Sequence, residues 1–176
     1  MAVLSEEQTM LRDAAKSWVG EKSPVTALRK LRDSGNADGF DRAAWNEMAE
    51  MGWAGILIPE EFGGSGLGYL TLGLVLEETG RTLTASPLVS TALTATTALL
   101  LAGSDAQKKA WLPKIAEGKA IAALAVDEGA HHAPAKIALK AVKSSGGGPL
   151  SGKKSFVLDG GVADFLIVAA LTNGKI

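Results

Sequence analysis

The chain has 176 residues, 47% of them apolar, and its 18 basic and 19 acidic side chains leave a net charge of −1. That balance excludes a field strong enough to hold nucleic acid or an anionic membrane surface. The lack of cysteine excludes disulfides, thiol nucleophiles and cysteine metal sites. The opening MAVLSEEQTM has neither a basic flank nor a long apolar core, so it does not read as a signal peptide. The most apolar-leaning run, Thr91 to Gly103, carries four threonines and falls short of a membrane span. A soluble, cytoplasmic protein is expected by default.

Ser5 and Gln8 have capping-box spacing ahead of a helix reaching Val19, in which Leu4, Leu11, Ala15 and Trp18 recur at helical intervals. Ser23-Pro24 opens a second helix that runs to about Arg32 before Ser34-Gly35. Asp41 caps a third, whose predicted buried stripe is Trp45, Met48 and Met51; the two methionines read as core filling rather than as a soft ligand surface. Residues 53–68, WAGILIPEEFGGSGLG, are predicted as a structured loop. Its glycines at 63, 64, 66 and 68 do not give G-x-G-x-x-G and no lysine follows, so a tight turn is preferred to a phosphate loop. Tyr69 to Arg81 is the next helix, with Leu70, Leu74 and Leu76 inward and Glu77 and Glu78 on a solvated face. Ser86-Pro87 opens a fifth that runs to Gly103. Its threonines at 91, 94, 96 and 97 form a small-residue face suited either to close packing or to bordering a ligand. Asp105 is placed to start a sixth helix and Gly118 to stop it.

At Gly118 the helical period gives way to a strand pattern, and a binding pocket is most simply sought along that seam. Strand candidates follow at 119–127, 135–143 and 154–170, the last interrupted by Asp159-Gly160-Gly161, and all are expected to pair antiparallel. Ser144 to Pro149 reads as a flexible turn. Asn173-Gly174 between apolar residues is a strong hairpin signal, so the sheet reads as incomplete here or finished by something outside these residues. Two units are therefore expected, 1–118 helical and 119–176 strand-rich. His131 and His132, the only histidines, lie side by side on a loop and read as solvated, because a metal site would need further ligands nearby.

Four segments carry a resemblance. Gly55-Ile56-Leu57-Ile58-Pro59-Glu60-Glu61-Phe62-Gly63-Gly64 follows G-x-x-x-P-E-E-[YF]-G-G, and Glu77-Glu78-Thr79-Gly80-Arg81 follows E-E-x-G-R. Gly103-Ser104-Asp105-Ala106-Gln107-Lys108-Lys109-Ala110-Trp111-Leu112-Pro113 is similar to G-[ST]-x-x-Q-K-x-x-[WY]-L-P. Gly152-Lys153-Lys154-Ser155-Phe156-Val157-Leu158-Asp159-Gly160, with Ala163-Asp164 after it, stands in the place of G-x-K-x-[WF]-I-[TS]-N-G. In this order the segments resemble the acyl-CoA dehydrogenases, flavoenzymes that oxidise acyl-CoA thioesters at the α and β carbons. The resemblance implies a helical N-terminal domain, a middle β-barrel and a C-terminal four-helix bundle. This chain would supply the first, about half of the second and none of the third. The fold class is thus α+β, an all-α domain followed by an incomplete antiparallel β-barrel domain. It also implies FAD, an acyl-CoA thioester substrate, and homo- or hetero-oligomers with acyl-CoA dehydrogenase subunits. In the family the carboxylate that removes the α-proton lies in the C-terminal half, so no catalytic residue is nominated.

The same resemblance assigns flavin binding to Val126, Asp127, Phe156, Val157 and Leu158, and the acyl substrate to Ser90, Thr91, Thr94 and Ala133. The family's T-E-P-x-x-G-S-D falls on Asp127-Glu128-Gly129-Ala130-His131-His132-Ala133-Pro134. A hydroxyl that would meet the flavin pyrimidine edge becomes the carboxylate of Asp127, and an ionised carboxylate there opposes the negative charge of reduced flavin. The hydroxyl that would face flavin N5 becomes Leu158, and the substrate-side serine becomes Ala133. Phe156 keeps an aromatic ring where the family stacks tryptophan. Glu128 matches its family position, either as a structural acceptor or as a functional group. FAD binding by this chain alone is expected to be weak or absent. Three readings follow: an acyl-CoA dehydrogenase whose catalytic half lies outside this sequence, a non-catalytic partner subunit of an active one, and an inactive truncated product.

Overall fold

The computed structural model describes residues 3–142 and 147–176. Six α-helices precede a short sheet: α1 (Glu6–Lys22), α2 (Val25–Asp33), α3 (Arg42–Glu50), α4 (Gly68–Arg81), α5 (Thr96–Ala102) and α6 (Asp105–Ala116). The predicted fifth helix is thus two pieces, a π-helical segment at Leu88–Ala95 running directly into α5. Strands β1 (Ala122–Ala125) and β2 (Phe165–Val168) follow. Side chains decide where the helices begin. Ser5 and Gln8 exchange bonds with each other's backbone N–H at 3.1 Å, closing the predicted capping box. Ser104, rather than Asp105, is the cap of α6, with Gln107 as its reciprocal partner.

The buried faces follow the 3.6-residue period more strictly than the predicted stripes did. On α3, Trp45, Met48 and Ala49 are buried, while Met51, six positions from Trp45, falls off that face and is 37% exposed. On α4 the buried stripe runs through Thr71, Leu72, Val75, Glu78 and Thr79. Leu70 is therefore exposed, and Glu78 is inward rather than solvated. Its Oε2 lies 3.2 Å from Arg81 Nε and accepts no hydrogen bond among the described residues.

Two hydrophobic cores result, and each draws on both sides of Gly118. The larger joins Trp18, Trp45, Met48, Trp53 and Leu72 to Ile121, with Val162 and Ala163 packed against it. Trp18 meets Trp53 edge-on at 5.5 Å. The smaller joins Ile58, Leu99, Leu112 and Ile115 to Ala120 and Ala122, with Phe165 and Ile167 against it. The glycine-rich loop lies between the two: two short 3₁₀ turns, Trp53–Gly55 and Glu60–Phe62, fold it back on itself. A Cβ on Gly64 would stand 2.1 Å from the Ile58 carbonyl oxygen, so the turn is made by close backbone approach and not by a phosphate.

The expected antiparallel barrel strands are corrected. The sheet has two parallel strands, with Ala122 opposite Phe165 and Ala125 opposite Val168. Parallel neighbours need a long crossover, and residues 126–164 provide it. Within that crossover the strand patterns are broken locally. Phe156 and Asp159 take φ of 54°, which no extended strand tolerates. Among its described residues, 135–142, the 135–143 strand candidate contributes part of the 3₁₀ turn Pro134–Lys136 and an isolated bridge from Lys140 to Leu171. Ser144, Ser145 and Gly146 of the predicted flexible turn lie outside the described residues. The Asn-Gly turn does form: Thr172 and Lys175 exchange backbone bonds around Asn173 (φ 52°) and Gly174 (φ 78°).

Candidate functional site

β1 ends at Ala125, and the residues after it are held by side chains instead of a ladder. Val126 is half-buried, and its carbonyl accepts from Lys154 Nζ at 2.9 Å. Asp127 is turned onto its own loop. Its Oδ1 accepts from the Ala133 N–H at 2.8 Å, and its Oδ2 lies 2.9 Å from His132 Nδ1. The His132 imidazole and then the Ala133 N–H hold the Asp127 carboxyl below the usual carboxylate range. Both carboxylate oxygens nominated for the flavin edge are therefore occupied within a seven-residue turn. Among the described residues no three His, Asp or Glu side chains converge as a metal site would require.

Glu128 binds more widely. Its Oε2 accepts from Ala138 N at 2.9 Å, and its Oε1 from Leu139 N at 3.0 Å and from Lys154 Nζ at 2.8 Å. The Lys154 ammonium, followed by the Leu139 and Ala138 N–H groups, lowers its carboxyl from 4.5 to about 2. The Lys154 side chain is only 8% exposed. One residue further on, Ser155 N donates to Asp127 O at 2.7 Å. The two segments nominated for the cofactor, Val126–Asp127 and Phe156–Leu158, are thus brought side by side by two parallel bonds.

Beyond Ser155 the chain opens outward. Phe156 is 80% exposed, Leu158 is 55% exposed, and Val157 is half-buried against Gly160. Among the described residues nothing accepts the backbone N–H of Phe156, Val157 or Leu158. The segment therefore carries unpaired N–H donors next to an exposed ring, a donor set that suits a flat heteroaromatic group edged with acceptors. It has no free side-chain hydroxyl to add.

The nominated substrate residues lie on the π-helical segment, apart from Ala133, which sits half-buried in the Asp127 turn. Thr91 is fully buried, and its Oγ1 both donates to Ala122 O and accepts from Ala122 N, each at 3.0 Å. Ser90 is 1% exposed and donates to Asp159 Oδ2 at 2.5 Å. Thr94 Oγ1 turns back to Ser90 O at 2.7 Å. These three hydroxyls are satisfied inside the fold, so any acyl-facing role they have is one of shape. Ser90–Asp159 joins the substrate-side segment to the residue following Leu158. Sequence reasoning missed Asp159 and also Asp164, whose Oδ2 accepts from Ile121 N at 2.8 Å and whose N–H returns a bond to Ile121 O. Both occur in the final motif and its Ala163-Asp164 extension, but neither residue type announces its partner.

Residues 5–119 match the family model of the acyl-CoA dehydrogenase N-terminal domain. The chain is 36% identical to mitochondrial isovaleryl-CoA dehydrogenase of Pongo abelii over 97% of its own length and 40% of that protein. Its fold matches a chain of the ChsE4-ChsE5 complex of Mycobacterium tuberculosis with a TM-score of 0.85 at 27% identity, covering 99% of this chain and 47% of that one. It matches the FAD complex of PigA with a TM-score of 0.81 at 25% identity, covering 98% of this chain and 45% of that one. The chain spans less than half the length of these relatives. With a family model matching well over half of its residues, the chain belongs to the acyl-CoA dehydrogenase family, through its N-terminal domain.

Proposed function

We propose that the chain is the N-terminal portion of an FAD-dependent dehydrogenase that introduces a double bond between the α and β carbons of an acyl-CoA thioester. The observation that carries this reading is the convergence of three segments: Val126–Asp127, Phe156–Leu158 and the Leu88–Ala95 helix. They are linked by Lys154, Ser155 and the Ser90–Asp159 bond. FAD, when bound, supplies the acceptor for the hydride leaving the β carbon. The chain's own contribution is to bind and orient. The unpaired N–H groups of Phe156, Val157 and Leu158 would hold acceptors on the ring edge, and the exposed Phe156 ring would cover a face. The π-helical segment, wider than an α-helix, would shape the acyl side, with Ser90 and Thr91 setting its packing from within and half-buried Thr94 and Ala133 left to border the substrate. The carboxylate that removes the α-proton belongs to a part of the enzyme outside this sequence. The helical portion, 1–118, and the strand-bearing portion, 119–176, act as one support, since both cores cross Gly118.

A second reading, a partner subunit without its own flavin, is favoured by one specific feature. Asp127 offers no free donor and Leu158 no hydroxyl, where a flavin-binding chain would present both. Titration of FAD into the purified chain separates the readings, with Asp127→Thr/Leu158→Thr measured alongside. Binding by the unmodified chain is expected to be weaker than about 1 μM. The double variant is expected to gain about tenfold to a hundredfold, since each restored hydrogen bond contributes on the order of 1 kcal/mol. Submicromolar binding by the unmodified chain would overturn the partner-subunit reading. No binding by either protein would remove FAD from the function of this chain alone.

A further inference from the structure

We infer that Lys154 and Glu128 form a positioning pair that sets the register between the two segments assigned to the flavin, Val126–Asp127 and Phe156–Leu158. The inference deepens the cofactor reading above and rests on it for its consequence, though not for its geometry. Lys154 lies two residues before Phe156, and its ammonium bonds Val126 O at 2.9 Å and Glu128 Oε1 at 2.8 Å. Glu128 in turn fixes the far side of the loop through the Ala138 and Leu139 N–H groups. One cation thus ties the strand end to the 154–158 segment and, through Glu128, to residues 138–139. The Ser155–Asp127 backbone bond runs beside it at 2.7 Å.

The Lys154 side chain is among the few charged groups taken out of water, at 8% exposed, and Glu128 is 21% exposed. A buried ammonium is retained only when its donors are met, and here two of the three are met by groups flanking Asp127. Removing the cation leaves the Val126 carbonyl and the Glu128 carboxylate with one acceptor site each unfilled, and the shortest path to relief is separation of the two segments. The open N–H groups of Phe156, Val157 and Leu158 would then lose their fixed distance from the Val126–Asp127 backbone. Neither residue touches the proposed reacting atoms; both act through the backbone they hold.

The test uses the chain as it stands, with Lys154→Met, Glu128→Gln and Lys154→Arg. The first readout is amide hydrogen exchange at Ser155, Ala138 and Leu139, with the α1 and α4 amides as a check that the fold is intact. Lys154→Met is expected to speed exchange at Ser155 by about tenfold or more, as for loss of a charge-assisted hydrogen bond. Glu128→Gln is expected to speed Ala138 and Leu139, and Lys154→Arg to restore Ser155 protection, while α1 and α4 stay unchanged. The second readout is FAD affinity by flavin fluorescence, expected to fall about tenfold in Lys154→Met and to recover in Lys154→Arg. Unchanged Ser155 exchange in Lys154→Met would overturn the inference, as would faster exchange with unaltered FAD affinity. Should the unmodified chain bind no FAD, the cofactor reading falls, and the Ser155 amide alone decides whether the pair sets the register. If Lys154→Met also loosens α1 and α4, Glu128→Gln decides: unchanged Ala138 and Leu139 exchange there refutes the pair.

Discussion

Thr91 is the residue for which packing and pocket readings diverge most, and one substitution separates them. Its hydroxyl exchanges two bonds with the backbone of Ala122 at 3.0 Å, and both residues are 0% exposed. The backbone bonds at either end of the sheet reach β1 at Ile121 O and Ala125 O. In a parallel ladder alternate residues face the same neighbour, so Ala122 faces away from β2, toward the π-helical segment. Thr91→Val keeps the shape and deletes the hydroxyl, leaving a buried N–H and a buried C=O unpaired. At about 1–3 kcal/mol for each unsatisfied group, the loss is about 3 kcal/mol in total. That is a large fraction of the roughly 5–15 kcal/mol that stabilises a typical domain. Thr91→Ser keeps the hydroxyl, removes one methyl and should cost only about 1 kcal/mol. Equilibrium urea denaturation of the three proteins measures the difference. If Val and Ser were equally destabilising, or Val lay within about 0.5 kcal/mol of the parent, the Thr91 clamp on β1 would be refuted.

Two further outcomes are expected. Gly118 has φ of +69°, and a Cβ there would meet Ala49 Cβ at 2.5 Å, directly beneath the bond from Trp45 Nε1 to Gly118 O at 2.9 Å. Gly118→Ala should therefore cost about 3 kcal/mol, left-handed strain and overpacking together. Gly35→Ala, at φ +65° in open space, should cost only about 1 kcal/mol, and equal midpoints in urea would refute the distinction. Acid provides the other test. Glu128 and Asp127 are both lowered in the folded chain, so their contribution is present above their ordinary values and is lost as pH falls through the folded ones. The urea midpoint should fall as pH drops from 4.5 toward 2. Glu128→Gln should flatten part of that slope, and parallel profiles for the two proteins would show that the Lys154 pair is not what holds the proton off.

The helical portion was legible because its signals are local. Ser5 with Gln8 and Asp41 each close a bond within three residues, and the glycine-rich loop turns on a close approach that only glycine permits. The errors there were errors of phase. The charge of Glu78 predicts an outward side chain, although its position on the Thr71–Val75–Thr79 stripe carries it inward, where Arg81 meets it. The strand portion was legible in place but not in pairing: the candidates at 119–127 and 154–170 contain β1 and β2, which pair parallel. β-branched and apolar runs at 135–143 and 154–170 met the requirement for strands, but pairing partner and direction are set by which end of β1 the chain returns to. Asp164 decides that return by bonding Ile121 at both its N–H and its carboxylate, across 43 positions of sequence.

For the candidate site the motifs nominate segments, and the bonds between those segments are not legible in sequence. Asp127 was read from its departure at a family position, as a charge facing a ligand, and the residue type alone could not show that Ala133 and His132, six and five positions on, would occupy both oxygens. Lys154 and Glu128 stood in two motifs that nothing in the sequence connects, and they meet across 26 positions. Ser90 and Asp159 meet across 69. Polar side chains in this chain are therefore used chiefly to hold irregular backbone where ladders are missing: Glu128 for residues 138–139, Thr91 for β1, Asp164 for the sheet entry. Under the cofactor reading proposed above, recognition would fall to the backbone N–H groups of Phe156, Val157 and Leu158, which no side-chain motif can encode. A chain that binds through backbone donors tolerates the loss of a hydroxyl at Leu158 better than one that binds through side chains. Under the proposed cofactor reading, loss of whatever fixes that backbone, Lys154 above all, should weaken binding separately from the departures at Asp127 and Leu158.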